Sequence, residues 1–173
     1  LNSGRSKYAG PENPVVLMTA KLDGYGMAYN APVIGPDGTI YFISGDRGSY
    51  PGKIHAMSPE GEMLWTIETA ISRTPQSGNV ISSQGAGAIS EDGLLYFQVG
   101  TELYCITPDG TVKWIYEMGY GAVNAASPAI GPDGTIYISG GEFGNGLWGI
   151  IAVNPDGTEK WRCTFWNQVY GTP

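Results

Sequence analysis

From Asp37 onward six acid–glycine pairs punctuate the chain: Asp37-Gly38, Glu60-Gly61, Asp92-Gly93, Asp109-Gly110, Asp133-Gly134 and Asp156-Gly157. A carboxylate beside a glycine can hold a metal or a phosphate, since glycine lets the backbone approach a ligand closely. It can equally well reverse the chain. The heptapeptide Gly-Pro-Asp-Gly-Thr-Ile-Tyr occurs twice unchanged, at Gly35–Tyr41 and Gly131–Tyr137. Other residues with chemical potential are sparse. His55 is the single histidine, and Cys105 and Cys163 are the only cysteines. One histidine without a cysteine partner nearby in sequence cannot assemble a typical zinc site. Two cysteines far apart provide neither a disulfide framework nor metal-ligand spacing, and both fall in apolar, strand-like segments, where a small buried thiol is expected. The glycine-rich run Gly141–Gly146 lacks the G-x-G-x-x-G spacing and a following helix, so it reads as a loop and not as a phosphate cradle. Walker, H-E-x-x-H, G-x-S-x-G and C-x-x-C signatures are all missing.

The bulk composition narrows the function classes. Lys plus Arg is 9 against 16 Asp plus Glu, a net charge of −7, with no basic cluster to act against that sign. Nucleic-acid binding, which depends on releasing counterions with basic side chains, is not expected. No apolar run reaches the length of a membrane span. The chain begins at Leu1 without a signal peptide and is expected to be a mature form or an excised segment. Only 14% of residues are charged, while 27 are glycine and 12% are aromatic, a balance that favours strands and tight turns.

An internal repeat organises these residues. Trp65, Trp114 and Trp161 lie 49 and 47 residues apart, and each closes a unit that contains two acid–glycine turns. Every unit divides into four short strands, expected in the third at Ser127–Ile130, Thr135–Ser139, Ile150–Val153 and Thr158–Cys163. Strands such as Thr39–Ser44 (TIYFIS) are apolar on both faces, so each small sheet must be covered on both sides. Four-stranded antiparallel units of nearly fifty residues, each sandwiched by its neighbours, describe an all-β fold, a β-propeller segment. The acid–glycine pairs are then hairpin turns. His55 aligns with Tyr104 and Ile151 in the third strand of its unit and is expected to pack there. The three tryptophans are expected to be apolar plates wedged between blades, with each N–H bonded to backbone.

The closing runs Ala56–Trp65 (AMSPEGEMLW), Cys105–Trp114 (CITPDGTVKW) and Ala152–Trp161 (AVNPDGTEKW) share a pattern: small, any residue, Ser/Thr/Asn, Pro, acid, Gly, three residues, Trp. This pattern resembles the PQQ-like propeller repeat of quinoprotein dehydrogenases and of the outer-membrane assembly lipoprotein BamB. It has Pro-acid-Gly where the dehydrogenases have Thr-Gly-Lys, and it is one residue shorter, so it looks more like the non-enzymatic repeats of surface proteins. The resemblance implies one propeller domain over 1–173. Within it, 13–20 is the outer strand of a closing blade, with Met18 in the tryptophan position. Blades follow at 29–69, 80–118 and 124–166, and a further blade starts at 168–173. Three blades fall short of a closed ring, so either missing blades or self-association is expected to complete it.

Antiparallel topology places the acid–glycine turns on one edge of the domain. The longer connections lie on the other: Gly45–Gly52, Arg73–Gly85, Gly119–Ala126 and Gly140–Trp148. That second edge carries Tyr25, Tyr29, Asn30, Asn79, Tyr120, Asn124, Phe143, Trp148 and Tyr170, the aromatic and amide groups a binding surface requires. An equally open reading is that they pack the loops. The expected function is a non-catalytic binding or scaffold module, without a cofactor or a metal, that engages protein or carbohydrate. The resemblance also implies an extracytoplasmic location. The alternative is a fragment of a PQQ-dependent oxidoreductase, using PQQ with calcium, whose catalytic blades are absent. The carboxylate-amide cage, catalytic Asp and adjacent cysteines of those enzymes are not recognisable in this sequence.

Overall fold

A computed structural model describes residues 31–44, 52–69, 82–83, 85–118, 124–125, 127–142 and 147–165, together with Thr19. The expected strand at 13–20 and the expected blade start at 168–173 lie outside the described residues, apart from Thr19.

Runs of β-branched and aromatic residues separated by glycine turns form strands throughout. The first sheet holds β1 (Val33–Ile34), β2 (Ile40–Ser44), β3 (Lys53–Met57) and β4 (Met63–Glu68) in chain order. After β5 (Ser82–Ser83) comes a second sheet of β6 (Ala88–Ile89), β7 (Leu95–Val99), β8 (Glu102–Ile106) and β9 (Val112–Glu117). After β10 (Asn124–Ala125) comes a third, of β11 (Ala129–Ile130), β12 (Ile136–Glu142), β13 (Leu147–Val153) and β14 (Glu159–Phe165). All three are four-stranded and antiparallel, and the first hairpin has one register in all three: Ile34 faces Ile40, Ile89 faces Leu95, and Ile130 faces Ile136. The described residues thus form a β-propeller segment of three blades. Among the described residues, no helix is long and apolar enough to cross a membrane.

The blades pack face to face through two apolar clusters. Tyr41, Ile43, Ile54 and Ala56 of the first blade meet Leu95, Phe97, Tyr104 and Ile106 of the second. Tyr96, Leu103 and Cys105, on the opposite face of the second blade, meet Ile136, Ile138, Ile151 and Val153 of the third. Being covered on both sides, β7 is buried at all five positions, whereas Ile40 and Phe42 of β2 remain half-buried. The central strands therefore need apolar residues at consecutive positions instead of alternating ones.

Two features depart from the expected strands. The third blade's hairpin runs longer than expected: Gly140 pairs with Gly149, Gly141 with Trp148 and Glu142 with Leu147. Ladder bonding uses only backbone groups, so a glycine run can extend it where side-chain pattern predicts a loop. Additionally, β10 pairs in parallel with β5, with Asn124 opposite Ser82 and Ala125 opposite Ser83. The segments leading into the second and third blades therefore run side by side, a contact between residues about forty positions apart that leaves no local mark in the sequence.

Candidate functional site

The turn edge is defined in detail. In all six acid–glycine turns among the described residues the glycine has a positive φ, between 77° and 89°. Its N–H donates to the carbonyl three residues back, as from Gly38 to Gly35 (3.0 Å) and from Gly110 to Thr107 (2.9 Å). The five aspartates of these turns are committed within the blade, Asp92 by accepting from the Ser90 hydroxyl (2.5 Å). Asp37 accepts from the Thr39 N–H (3.1 Å) and hydroxyl (2.9 Å), and Asp156 accepts the same pair from Thr158 (3.0 and 2.6 Å). Asp109 accepts from the Thr111 N–H (3.2 Å) and the Thr107 hydroxyl, and Asp133 from the Thr135 N–H (3.1 Å) and Lys160 Nζ (2.8 Å). These donors favour the charged form. The Thr39 backbone N–H is the main cause at Asp37, the Thr107 hydroxyl at Asp109, Lys160 at Asp133 and the Thr158 hydroxyl at Asp156, and each holds its carboxyl below the ordinary carboxylate range. Among the described residues no group of three or more His, Cys, Asp or Glu could hold a metal ion. The repeated heptapeptide thus uses its acid to lock a turn.

The same edge carries the joint between blades. Trp65 Nε1 donates to the Pro108 carbonyl of the next blade (2.9 Å), and Trp114 Nε1 donates to Pro155 (3.0 Å). The rings lie over the turn glycines. A Cβ on Gly110 would stand 2.9 Å from Trp65 Cγ, and one on Gly157 would stand 2.8 Å from Trp114 Cδ2. Trp161 stands in the same pose against its own blade: Tyr41–Trp65, Tyr96–Trp114 and Tyr137–Trp161 all have ring centroids 5.9 Å apart. Yet Trp161 is 44% exposed. The wedge role expected of all three tryptophans holds for Trp65 and Trp114. Trp161 has no receiving turn among the described residues.

The second joint is also polar. The Tyr116 hydroxyl meets the Glu159 carboxylate, and Arg162 Nη2 donates to Tyr116 (3.1 Å) and to Glu159 (2.9 Å). Gln98, buried at the equivalent of Ile43, donates from Nε2 across the joint to the Ser139 carbonyl (2.7 Å). Sequence reading missed these residues because each pair that crosses the joint is about forty or more positions apart.

His55 packs as expected, stacked on Phe42 with ring centroids 4.9 Å apart, but its partners were not foreseen. Nε2 is 2.7 Å from the Ser44 hydroxyl and Nδ1 is 3.0 Å from the Thr66 hydroxyl. A serine on an imidazole has the residue types of a nucleophile and its base, but here the group on the other ring nitrogen is a hydroxyl and not a carboxylate. Burial, together with the Lys53 charge, holds the ring pKa below 6.5. Since the unfolded chain then binds a proton that the folded chain resists, the ring's contribution is complete above pH 6.5 and is lost as pH falls through the folded value. We expect the urea midpoint of the native chain to fall just below pH 6.5, above the range where carboxylates titrate. His55→Gln, which keeps hydrogen-bonding groups but cannot titrate, is expected to flatten that step.

The two thiols differ. Cys105 is fully buried, and burial pushes its pKa up. Cys163 is exposed, which corrects the expectation that both are buried. It sits on β14, the outer strand of the third blade, whose outward face has no blade against it among the described residues. In dilute native protein one thiol is expected to react rapidly with a thiol reagent, and the second only after denaturation. Rapid reaction of both would contradict the burial of Cys105.

On the opposite edge, Asn124 lies on β10 and Trp148 on β13, so both belong to strands and not to irregular loops. Tyr25, Tyr29, Asn30, Asn79, Tyr120, Phe143 and Tyr170 lie outside the described residues.

No protein-family model matches the chain, and no curated protein does. Among solved structures, one described as a eukaryotic initiation factor is similar at 13% identity and a TM-score of 0.53, covering 84% of this chain and 34% of that one. This chain thus spans about a third of that protein's length. A protein of unknown function from Bacteroides caccae is similar at 13% identity and a TM-score of 0.43, covering 83% of this chain and 69% of that one. At such identities the first likeness concerns the fold alone, an all-β arrangement of repeated four-stranded sheets.

Proposed function

We propose that this chain is a non-catalytic binding or scaffold module of the PQQ-like propeller type, exported from the cytoplasm, that engages protein or carbohydrate through the edge opposite its acid–glycine turns. The observation that carries this reading is the difference between the two edges. On the turn edge the carboxylates of Asp37, Asp109, Asp133 and Asp156 are spent on their own turns and the Trp65 and Trp114 N–H groups on the neighbouring blade. In the sequence, aromatic and amide residues, Tyr120 and Phe143 among them, collect in the stretches of varied length that connect the strands of the opposite edge, and Trp148 of β13 adjoins one of them. Variable connections on a rigid scaffold are where binding residues collect.

A panel of immobilised glycans and extracellular-matrix proteins tests this. Tyr120→Ala and Trp148→Ala are expected to abolish binding that the native chain shows, with its circular dichroism unchanged. An absorbance change on adding PQQ with calcium, or dye-linked alcohol oxidation, would replace the proposal with the oxidoreductase reading.

A further inference from the structure

The two observed joints have a donor half and a receiver half, and the described residues carry one more of each. The donor is a tryptophan held at 5.9 Å from a tyrosine of its own blade, and Trp161 with Tyr137 reproduces it. The receiver is the second turn of a blade. In the occupied receivers, Thr107 N–H donates to Thr111 (2.9 Å) and Asn154 N–H to Thr158 (2.8 Å), while Gly110 and Gly157 sit at φ of 89° and 88°. The first blade's turn repeats this: Ser58 N–H donates to Glu62 (2.8 Å), Gly61 N–H to Ser58 (2.9 Å), and Gly61 has a φ of 88°. No tryptophan among the described residues stands over Gly61 or bonds the Pro59 carbonyl.

The surroundings of both unused halves are apolar and open. Met63 is 43% exposed, Leu64 52% and Ile34 65% on the first blade, against 44% for Trp161 on the third. Cys163 holds the place that Tyr116 holds in the second blade, and Met63 holds the place of Glu159. The Tyr116–Glu159 contact of the second joint is therefore replaced by a thiol opposite a thioether, and no charge would be buried without a partner.

We infer that the Trp161 face of one chain docks on the Ser58–Glu62 turn of a second copy, with the Trp161 N–H bonded to the Pro59 carbonyl and the ring seated on Gly61. Both halves are already in the docked geometry, so association spends little ordering entropy. Each joint brings together two different patches, and a pair of copies makes it twice about one two-fold axis, so the assembly closes as a dimer. Two copies joined at both ends place six such sheets in a ring, within the roughly four to eight blades of closed propellers. This inference rests on the blade joints and is independent of the loop-edge reading above.

Sedimentation velocity of the full chain over a dilution series tests it. The native chain is expected to be dimeric when concentrated and monomeric when dilute, and alkylation of Cys163 should slow as the dimer forms. Trp161→Ala removes the donor, and Gly61→Ala places a Cβ where the ring must sit. Each is expected to raise the dimer dissociation constant at least about thirtyfold, the scale of a tryptophan hot spot. An equal mixture of the two variants retains one intact joint, since the Trp161 of one can meet the Gly61 of the other, and is expected to recover association that neither shows alone. A native chain that stays monomeric with Trp161 shielded from acrylamide would mean that its own chain covers the face, and would overturn the inference. So would association that survives both substitutions, or a mixture that fails to recover it.

Discussion

Trp65→Ala is expected to destabilise the chain by about 3 kcal/mol and Trp114→Ala by a similar amount, the cost of truncating a packed aromatic. Trp161→Ala, measured in dilute protein, is expected to cost about 1 kcal/mol or less, in keeping with an exposed position. The three tryptophans close equivalent strands and lean on equivalent tyrosines, so local chemistry predicts equal costs. The difference arises from what lies beyond the ring. Trp65 gives its N–H to Pro108 and covers Gly110, and Trp114 does the same with Pro155 and Gly157. Removing either ring leaves a void over the turn and takes the partner from a carbonyl. Trp161 touches Tyr137 and has no turn beyond its ring among the described residues. Thermal unfolding followed by circular dichroism reads the contrast, since for a chain of this size about 3 kcal/mol shifts the midpoint by roughly 6–12 °C. Equal shifts for Trp65 and Trp161 would show that the blade joint contributes nothing beyond the tyrosine contact.

Gly110→Ala approaches the same joint from the receiving side, and a loss of about 3 kcal/mol is expected. One part is backbone strain, about 1 kcal/mol or somewhat more for a non-glycine residue at this φ of 89°. The other is steric: the new Cβ would stand 2.9 Å from Trp65 Cγ, 3.0 Å from Cδ2 and 3.1 Å from Cδ1, so the indole must lift from the turn and stretch its bond to Pro108. Overpacking of this kind costs about 1–3 kcal/mol. Gly61→Ala has the same strain, with a φ of 88°, but no ring above it among the described residues, so about 1 kcal/mol is expected in dilute protein. A double-mutant cycle separates the two parts. In a Trp65→Ala background, the cost of Gly110→Ala should drop to the strain alone, giving a coupling of about 2 kcal/mol. Additive costs would show that ring and turn do not bear on each other.

These joints also mark how far the sequence could be read. Acid–glycine pairs between β-branched and aromatic runs dictated the hairpins, since φ near +85° is open to glycine and closed to most other residues. The spacing of Trp65, Trp114 and Trp161 counted the blades, because a repeated unit that cannot bury its faces alone must repeat its packing residues too. The commitment of Asp37, Asp109, Asp133 and Asp156 to the residue two positions on was also within reach, since Asp37 and Thr39, or Asp156 and Thr158, are local in the chain.

What escaped is non-local. Ser44, His55 and Thr66 meet across three strands at steps of eleven residues, a distance set by hairpin lengths and register. Tyr116 and Glu159, Gln98 and Ser139, and Asn124 and Ser82 meet only once two blades have packed. The contrast among the tryptophans is of the same kind. The sequence by itself determined that each blade ends in a tryptophan plate and begins its last hairpin with a glycine seat, because turn conformation and strand pattern are decided within a few residues. Only the tertiary structure decided which plates and seats are joined. A side chain's burial depends on the neighbour that covers it, and that neighbour is one blade away in the chain for Trp65 and Trp114 and has no counterpart among the described residues for Trp161.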